Sequence, residues 1–334
     1  MKRIIIFGIT GAVGAYTALY LRQKGYDIIG VGKRNSDNHF FKKYNIPYHS
    51  VDISKKEEFN KLPKVEIDIV LHFAGSMPSK MKGYKPQQYI DSIITGTYNV
   101  LEYTRTVKAS KIIFTQTRAD SAYLMGTKEP IAADIEKKFP LKGDHTVYTI
   151  CKNAATNLIE HYNHEYGINY NILRLPTIYA YHPNKYFYVN GEKKPKAYRL
   201  LIDKAINGDE IEIWGDPSKE KEIVYVLDLV QIVEKGIEKS EVCGTFNVGR
   251  GVGVSLEEQI TGIVDIFSKP EKKSKIVYRP EKPDGRQFVH DITKTKEELG
   301  FEPMFDYITL LKEFKREIEM NRFALLWGAE QDNK

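Results

Sequence analysis

Ile4-Ile5-Ile6-Phe7-Gly8-Ile9-Thr10-Gly11-Ala12-Val13-Gly14 reads as a strand, a tight turn and the opening of a helix. The apolar run ends in three glycines spaced three apart, and the helix-like pattern Ala15–Lys24 follows at once. Gly8 suits the turn, Gly11 leaves room for phosphates to approach the backbone, and Gly14 permits close helix–sheet packing. The free N–H groups and the dipole at such a helix start favour a pyrophosphate. A second apolar run, Asp27–Val31, ends about twenty residues beyond the turn, the spacing of a dinucleotide-binding unit.

Composition narrows the function classes. A chain of 334 residues accommodates one large α/β domain, or a domain plus a lobe. The formal charge is +6, but the basic residues are interleaved with acids, as in Lys55-Lys56-Glu57-Glu58. That pattern is a solvated surface, so no nucleic-acid partner is expected, while a mild positive bias suits small anionic substrates. No apolar run is long enough to span a bilayer. Met1-Lys2-Arg3 before the isoleucines superficially resembles a signal peptide, yet Gly8 and Gly11 interrupt the run, and it is read as the first strand. Cys151 and Cys243 offer neither metal-ligand spacing nor a disulfide framework. The expectation is a cytoplasmic protein without a metal or a membrane partner.

Apolar runs at Ile4–Phe7, Asp27–Val31, Ile67–Phe73, Lys111–Thr115 and Tyr170–Leu175 alternate with helical patterns at Ala15–Lys24, Gln87–Thr104 and Val147–Tyr166. This alternation predicts a doubly wound parallel sheet covered on both faces, an α/β fold of Rossmann type. Beyond Pro176 the pattern changes. Tyr179–Pro195 reads as a loop, and Lys196–Asn207 as a helix. Glu210–Trp214 and Glu222–Val226 read as strands, and 255–268 and 293–319 as helices. The predicted organisation is a dinucleotide-binding domain over 1–175, with later elements from about 222–250, and a smaller, mainly substrate-binding lobe over 176–330.

Tyr148 and Lys152 stand four apart at the start of the third helical pattern and share one face. A free tyrosine, with a pKa near about 10, is a poor base at neutral pH. A neighbouring ammonium favours the phenolate. Such a pair suits proton exchange with a sugar hydroxyl while hydride moves to or from a nicotinamide.

With this pair beside the glycine turn, nearly the whole chain resembles the extended short-chain dehydrogenase/reductase family, in its nucleotide-sugar epimerase/dehydratase group. Gly8, Gly11 and Gly14 match the family's turn, with Thr10, Ala12 and Val13 between them. Val51-Asp52-Ile53 is similar to its adenine-contacting segment, and Leu71-His72-Phe73-Ala74-Gly75 to the segment after its fourth strand. Leu173-Arg174-Leu175-Pro176-Thr177-Ile178-Tyr179 is similar to the stretch after its sixth strand. The resemblance implies Tyr148 and Lys152 as catalytic residues and Thr117 as the hydroxyl that helps hold the reacting oxygen, with Thr115 and Ser121 as alternatives. It implies a cofactor site made of Gly8, Thr10, Gly11, Ala12, Val13, Gly14, Asp52, Ile53, Phe73, Ala74, Gly75, Tyr148, Lys152 and Pro176. For a nucleotide-sugar substrate it implies Thr177, Lys221, Arg279 and Arg286. A homodimer paired through helices near 87–104 and 148–166 is also implied.

Three features refine the resemblance. Gly32-Lys33-Arg34-Asn35-Ser36 has no acid where one would bond the adenosine ribose. Lys33 and Arg34 suit a 2′-phosphate instead, and the run is similar to that of GDP-mannose 4,6-dehydratases, so NADP is expected ahead of NAD. Thr117-Arg118-Ala119 lacks the acid that dehydratases carry after the fifth strand, and Ile93 stands where the family often has Asn. The expected activity is an epimerase or a ketosugar reductase. The alternatives are a 4,6-dehydratase using Asp120 or Glu129, and a non-catalytic NADP-binding sensor or scaffold.

Overall fold

The computed structural model describes residues 1–143, 145–189 and 191–328. The first half runs β1 (Arg3–Phe7), α1 (Ala12–Gln23), β2 (Asp27–Gly32), β3 (Tyr48–Ser50) and β4 (Ile69–His72). It continues through α2 (Pro86–Tyr89), α3 (Gly96–Thr106), β5 (Lys111–Thr117), α4 (Thr146–Tyr166) and β6 (Asn169–Leu175). The second half begins with β7 (Thr177–Tyr179), β8 (Tyr186–Val189), β9 (Glu192–Pro195), α5 (Ala197–Asn207), β10 (Ile211–Trp214), β11 (Glu220–Lys221) and β12 (Ile223–Tyr225). Then come α6 (Val226–Glu238), β13 (Gly244–Asn247), β14 (Val254–Ser255), α7 (Leu256–Phe267) and β15 (Ile276–Arg279). Three helices follow: α8 (Thr293–Leu299), α9 (Tyr307–Met320) and α10 (Ala324–Trp327).

Seven strands form one parallel sheet in the order β3-β2-β1-β4-β5-β6-β13. Consecutive isoleucines in β1 serve both faces at once, since successive side chains point to opposite sides. Ile4 and Ile6 join the core that holds residues of α1 and α6. Ile5 and Phe7 join the core that holds residues of α3 and α4. Strand order reverses between β1 and β4, which opens a crevice beyond their carboxyl ends.

The structure corrects three readings. The segment 179–195 is not a loop: β8 and β9 pair as an antiparallel hairpin that packs on Pro78–Lys80. Its tyrosines and lysines alternate too weakly in polarity to announce a strand. The helix expected over Gln87–Thr104 is broken by a π-helical stretch, Ile90–Thr95, a geometry frequent at functional sites. The pattern over 293–319 is two helices, α8 and α9, parted by a segment containing Pro303. In the second half, β12 pairs with β7 and β10 with β15, both parallel.

Candidate active site

The glycine turn is pressed between the ends of β1 and β4. Gly8 has φ +89°, and a Cβ there would stand 2.7 Å from the Ala74 nitrogen. A Cβ on Gly14 would stand 2.3 Å from the Gly8 carbonyl oxygen. Phe73 N–H donates to the Phe7 carbonyl at 2.9 Å, which draws Phe73, Ala74 and Gly75 alongside the turn. Helix α1 starts at Gly11 with no side-chain cap and no acid in its first turn. The first N–H groups, from Ala12 and Val13, are therefore available to phosphate oxygens. These residues fit a dinucleotide. On the outer side, the Thr10 carbonyl accepts a hydrogen bond from Trp327 Nε1 at 2.9 Å, so α10 closes over the turn.

At the end of β2 the charges have partners. Lys33 pairs with Asp52 at 2.8 Å on an exposed surface, where such a pair contributes little. Burial works against the Asp52 carboxylate, but hydrogen bonds from Lys33 and Ser54 hold its pKa below the usual range. Arg34 donates to the Leu326 carbonyl at 2.8 Å, a neutral partner that leaves its charge uncompensated. The nearby acid Asp37 is turned inward, accepting from the backbone of His39 and Phe41. Ile53 is buried, and its carbonyl takes the Asn99 amide.

Helix α4 carries Tyr148 and Lys152 against the end of β5. Lys152 donates to the Thr115 carbonyl at 2.6 Å and lies 4.1 Å over the Phe114 ring. Burial lowers its pKa to about 7. His72, hydrogen-bonded to Thr97 at 3.0 Å, is lowered to about 3 by burial and by the charge of Lys152. The Tyr148 ring lies 5.9 Å from that of Tyr89. Burial, followed by Tyr89, raises the Tyr148 pKa above the usual tyrosine value. The expected lowering by Lys152 is absent from this state, because both groups are desolvated and the ammonium is bonded to a β5 carbonyl.

Thr117 ends β5 opposite Leu175, and its oxygen accepts from the Ala119 N–H at 3.2 Å. Pro176 follows β6, and Thr177 opens β7. Of the alternative hydroxyls, Ser121 is fully buried and donates to the Arg118 carbonyl, while Thr115 meets Lys152 through its carbonyl. Asp120 is not an available acid. It is fully buried in a bidentate pair with Arg174, at 3.0 and 3.1 Å. Removing one partner of such a pair costs about 3–5 kcal/mol. Glu129 is exposed in the following loop. Ile93 is buried in the π-helical stretch and faces Gly75.

On the side of the second half, Lys221 bridges in backbone register to Phe288, and its ammonium would lie 3.1 Å from a Cβ on Gly285, next to Arg286. Arg118 stacks over the Phe288 ring at 4.3 Å. The structure thus gathers Lys221, Arg286 and Arg118. Arg279 instead pairs with Glu212 at 3.0 Å across β10 and β15. Sequence reasoning passed over Arg118 as a binding residue. The available signal was a cation directly after the Thr117 strand end.

Comparison with known proteins gives a consistent picture. The model of the NAD dependent epimerase/dehydratase family matches residues 4–249. The chain is 24% identical to a UDP-glucuronate 4-epimerase of Thermodesulfobacterium geofontis, covering 91% of this chain and 92% of that one. It is 27% identical to a UDP-N-acetyl-alpha-D-glucosaminuronate decarboxylase of Bacillus cytotoxicus, covering 95% and 99%. In fold it is similar to the UDP-glucose 4-epimerase of Thermotoga maritima, with a TM-score of 0.74 at 23% identity over 95% of this chain and 99% of that one. It is likewise similar to the UDP-N-acetylglucosamine 4-epimerase of Bacillus cereus, with a TM-score of 0.75 at 20% identity over 94% and 98%. Among the described residues no helix is long and apolar enough to cross a membrane.

The lowered pKa of Lys152 has a thermodynamic sign. Between about pH 7 and the free-lysine value near 10.4, the unfolded chain binds the proton more fully than the native one. Stability therefore rises with pH across that window, by up to about 1.4 kcal/mol per unit from this group. Urea unfolding of the cofactor-free protein at pH 7 and pH 9.5 should show a smaller rise for Lys152→Met than for the native chain. An equal rise in both would contradict the buried, depressed lysine.

Proposed function

The chain belongs to the NAD dependent epimerase/dehydratase family, and from that premise we propose that it epimerises a nucleotide-activated sugar, with NADP as the preferred dinucleotide. The observation that supports the reading is that Tyr148 and Lys152 stand one helical turn apart on α4, with Lys152 bonded to the Thr115 carbonyl two residues before Thr117. A bound nicotinamide supplies the hydride acceptor and donor. Tyr148 takes the proton of a sugar hydroxyl and later returns it, and the Thr117 hydroxyl orients that oxygen. Lys152 would hold the ribose of a bound dinucleotide, and its charge there would favour the phenolate. Phe73, Ala74 and Gly75 border the dinucleotide, with Asp52 and Ile53 on the adenine side and Pro176 near the nicotinamide. Lys221 and Arg286 face the diphosphate. Thr177 is assigned to the sugar side, and Arg279 to the diphosphate only on releasing Glu212.

Epimerisation is favoured over dehydration because Asp120 is locked to Arg174. The relatives act, by their names, on UDP-sugars, which supports uridine as the nucleotide. Mass spectrometry after incubation with NADP and a panel of nucleotide sugars tests this. An isomer at unchanged mass is expected, and Tyr148→Phe should slow its formation about 10²–10⁴-fold. A product lighter by one water, or a fully active Tyr148→Phe, refutes it.

The preference for NADP rests on Arg34, whose only hydrogen-bond partner from its side chain among the described residues is a neutral carbonyl, and on Asp37 facing away. Arg34→Ala should weaken NADPH binding about tenfold or more while sparing NADH, since a charge-assisted hydrogen bond is worth about 1.5–3 kcal/mol. Tighter binding of NADH by the native protein, with a ratio unchanged in the variant, contradicts the preference.

A homodimer through α3 and α4 completes the reading. Tyr98, Ile150 and Tyr166 are exposed apolar surface on these two helices, which pack together. Sedimentation should give a dimer for the native chain and a monomer for Ile150→Asp, and a native monomer would be decisive against it. Both cysteines are unpaired, as a reducing compartment permits, and the cytoplasm is the location assigned.

A further inference from the structure

We propose that Arg118 reads a carboxylate on the sugar, so that the substrate is a nucleotide-activated uronic acid; this rests on the nucleotide-sugar reading above. Arg118 directly follows Thr117, the residue assigned to the reacting sugar oxygen, and so lies at the sugar end of the site. Its guanidinium is half-buried over the Phe288 ring, 4.3 Å away. The backbone of Phe288 is itself bridged to Lys221, and Arg286 lies two residues before it. Three cations therefore converge on one short segment. None of Arg118, Lys221 and Arg286 has a side-chain hydrogen bond or ion pair among the described residues, and no carboxylate offsets them there. Burial and the charge of Arg286 lower the proton affinity of Arg118, and burial and Arg118 lower that of Lys221.

Arg118 and Lys221 are partly buried and Arg286 is exposed, and like charges brought together without a counterion favour an arriving anion. A sugar diphosphate ester brings two negative charges, which Lys221 and Arg286 match. The third cation calls for a third negative charge, placed on the sugar rather than on the bridge. A carboxylate fits a guanidinium by two parallel hydrogen bonds, where a neutral hydroxymethyl group would leave its charge unpaired. Two relatives named for uronate substrates agree with this reading.

The test compares UDP-glucuronate with UDP-glucose, by calorimetric binding to the protein loaded with NADP and by turnover. The native protein should bind the acidic sugar at least tenfold more tightly. Arg118→Leu should lower that ratio at least tenfold by weakening UDP-glucuronate more than UDP-glucose, with no fall in the melting temperature. Arg118→Lys should restore part of the ratio. A native protein without preference for the acidic sugar overturns the proposal. So does an Arg118→Leu variant that weakens both sugars equally, because Arg118 then serves the shared diphosphate. Failure of the native protein to bind UDP, UDP-glucose or UDP-glucuronate removes the nucleotide-sugar reading and this proposal with it.

Discussion

A single buried guanidinium, that of Arg174, organises the carboxyl end of the sheet. From β6 it reaches Asp120 through two hydrogen-bonding nitrogens, and a third donates to the Ala133 carbonyl at 2.8 Å and to Asn247 of β13 at 3.0 Å. Asn247 in turn donates to the carbonyls of Ile131 and Asp291. The segment after β5 is thereby fixed against two strands. A buried pair of this kind specifies an arrangement more than it adds stability, since an apolar substitute of the same shape is often as stable. What it specifies here is the position of Thr117 and Arg118 relative to the edge of the sheet. A second buried group, Glu222, does the same for the opposite wall, accepting from the backbone of Arg250, Gly251 and His290. Lys221 and the segment bearing Arg286 and Phe288 are held by that wall.

The two halves of the site differ in electrostatic character. Around Tyr148 and Lys152 the surroundings are apolar, and burial drives both toward their neutral forms. Around Lys221, Arg286 and Arg118 the charge is concentrated. A ligand whose reacting carbon is uncharged, and whose anionic groups lie toward Lys221, Arg286 and Arg118, matches this polarity, and its binding would bring charge back into the dry region only where the proton moves. The neutral forms of Tyr148 and Lys152 are thus a starting condition for chemistry. In water-poor surroundings a small change of nearby charge shifts them strongly.

Local pattern made much of this legible. The glycine turn, the parallel strands and the Tyr148–Lys152 pair each lie within a few residues of sequence, where periodicity reports directly on geometry. The features that escaped depend on partners far along the chain. Asp120 reads as an exposed loop acid until Arg174, 54 residues away, is seen to bury it. Arg118 reads as a missing carboxylate until Phe288 and Lys221 are brought beside it. The hairpin of β8 and β9 is exposed on its β9 edge, so burial imposed little alternation on its sequence. The π-helical stretch leaves no compositional mark, since Ile90–Thr95 is compatible with an ordinary helix.

Helix α10 gives the glycine turn an unusual place in time. The turn leaves the ribosome long before α10, yet its Thr10 carbonyl is capped by Trp327, 317 positions later. Phe323, on the same terminal segment, is fully buried and packs on Tyr16 of α1 and on Phe40. Strand β1 can pair and α1 can coil while the rest is still being made, but the outer wall of the turn is finished only by the last helix described. The turn is therefore closed on that side only after residue 327 has been made, and until then the nascent chain carries an open version of the crevice.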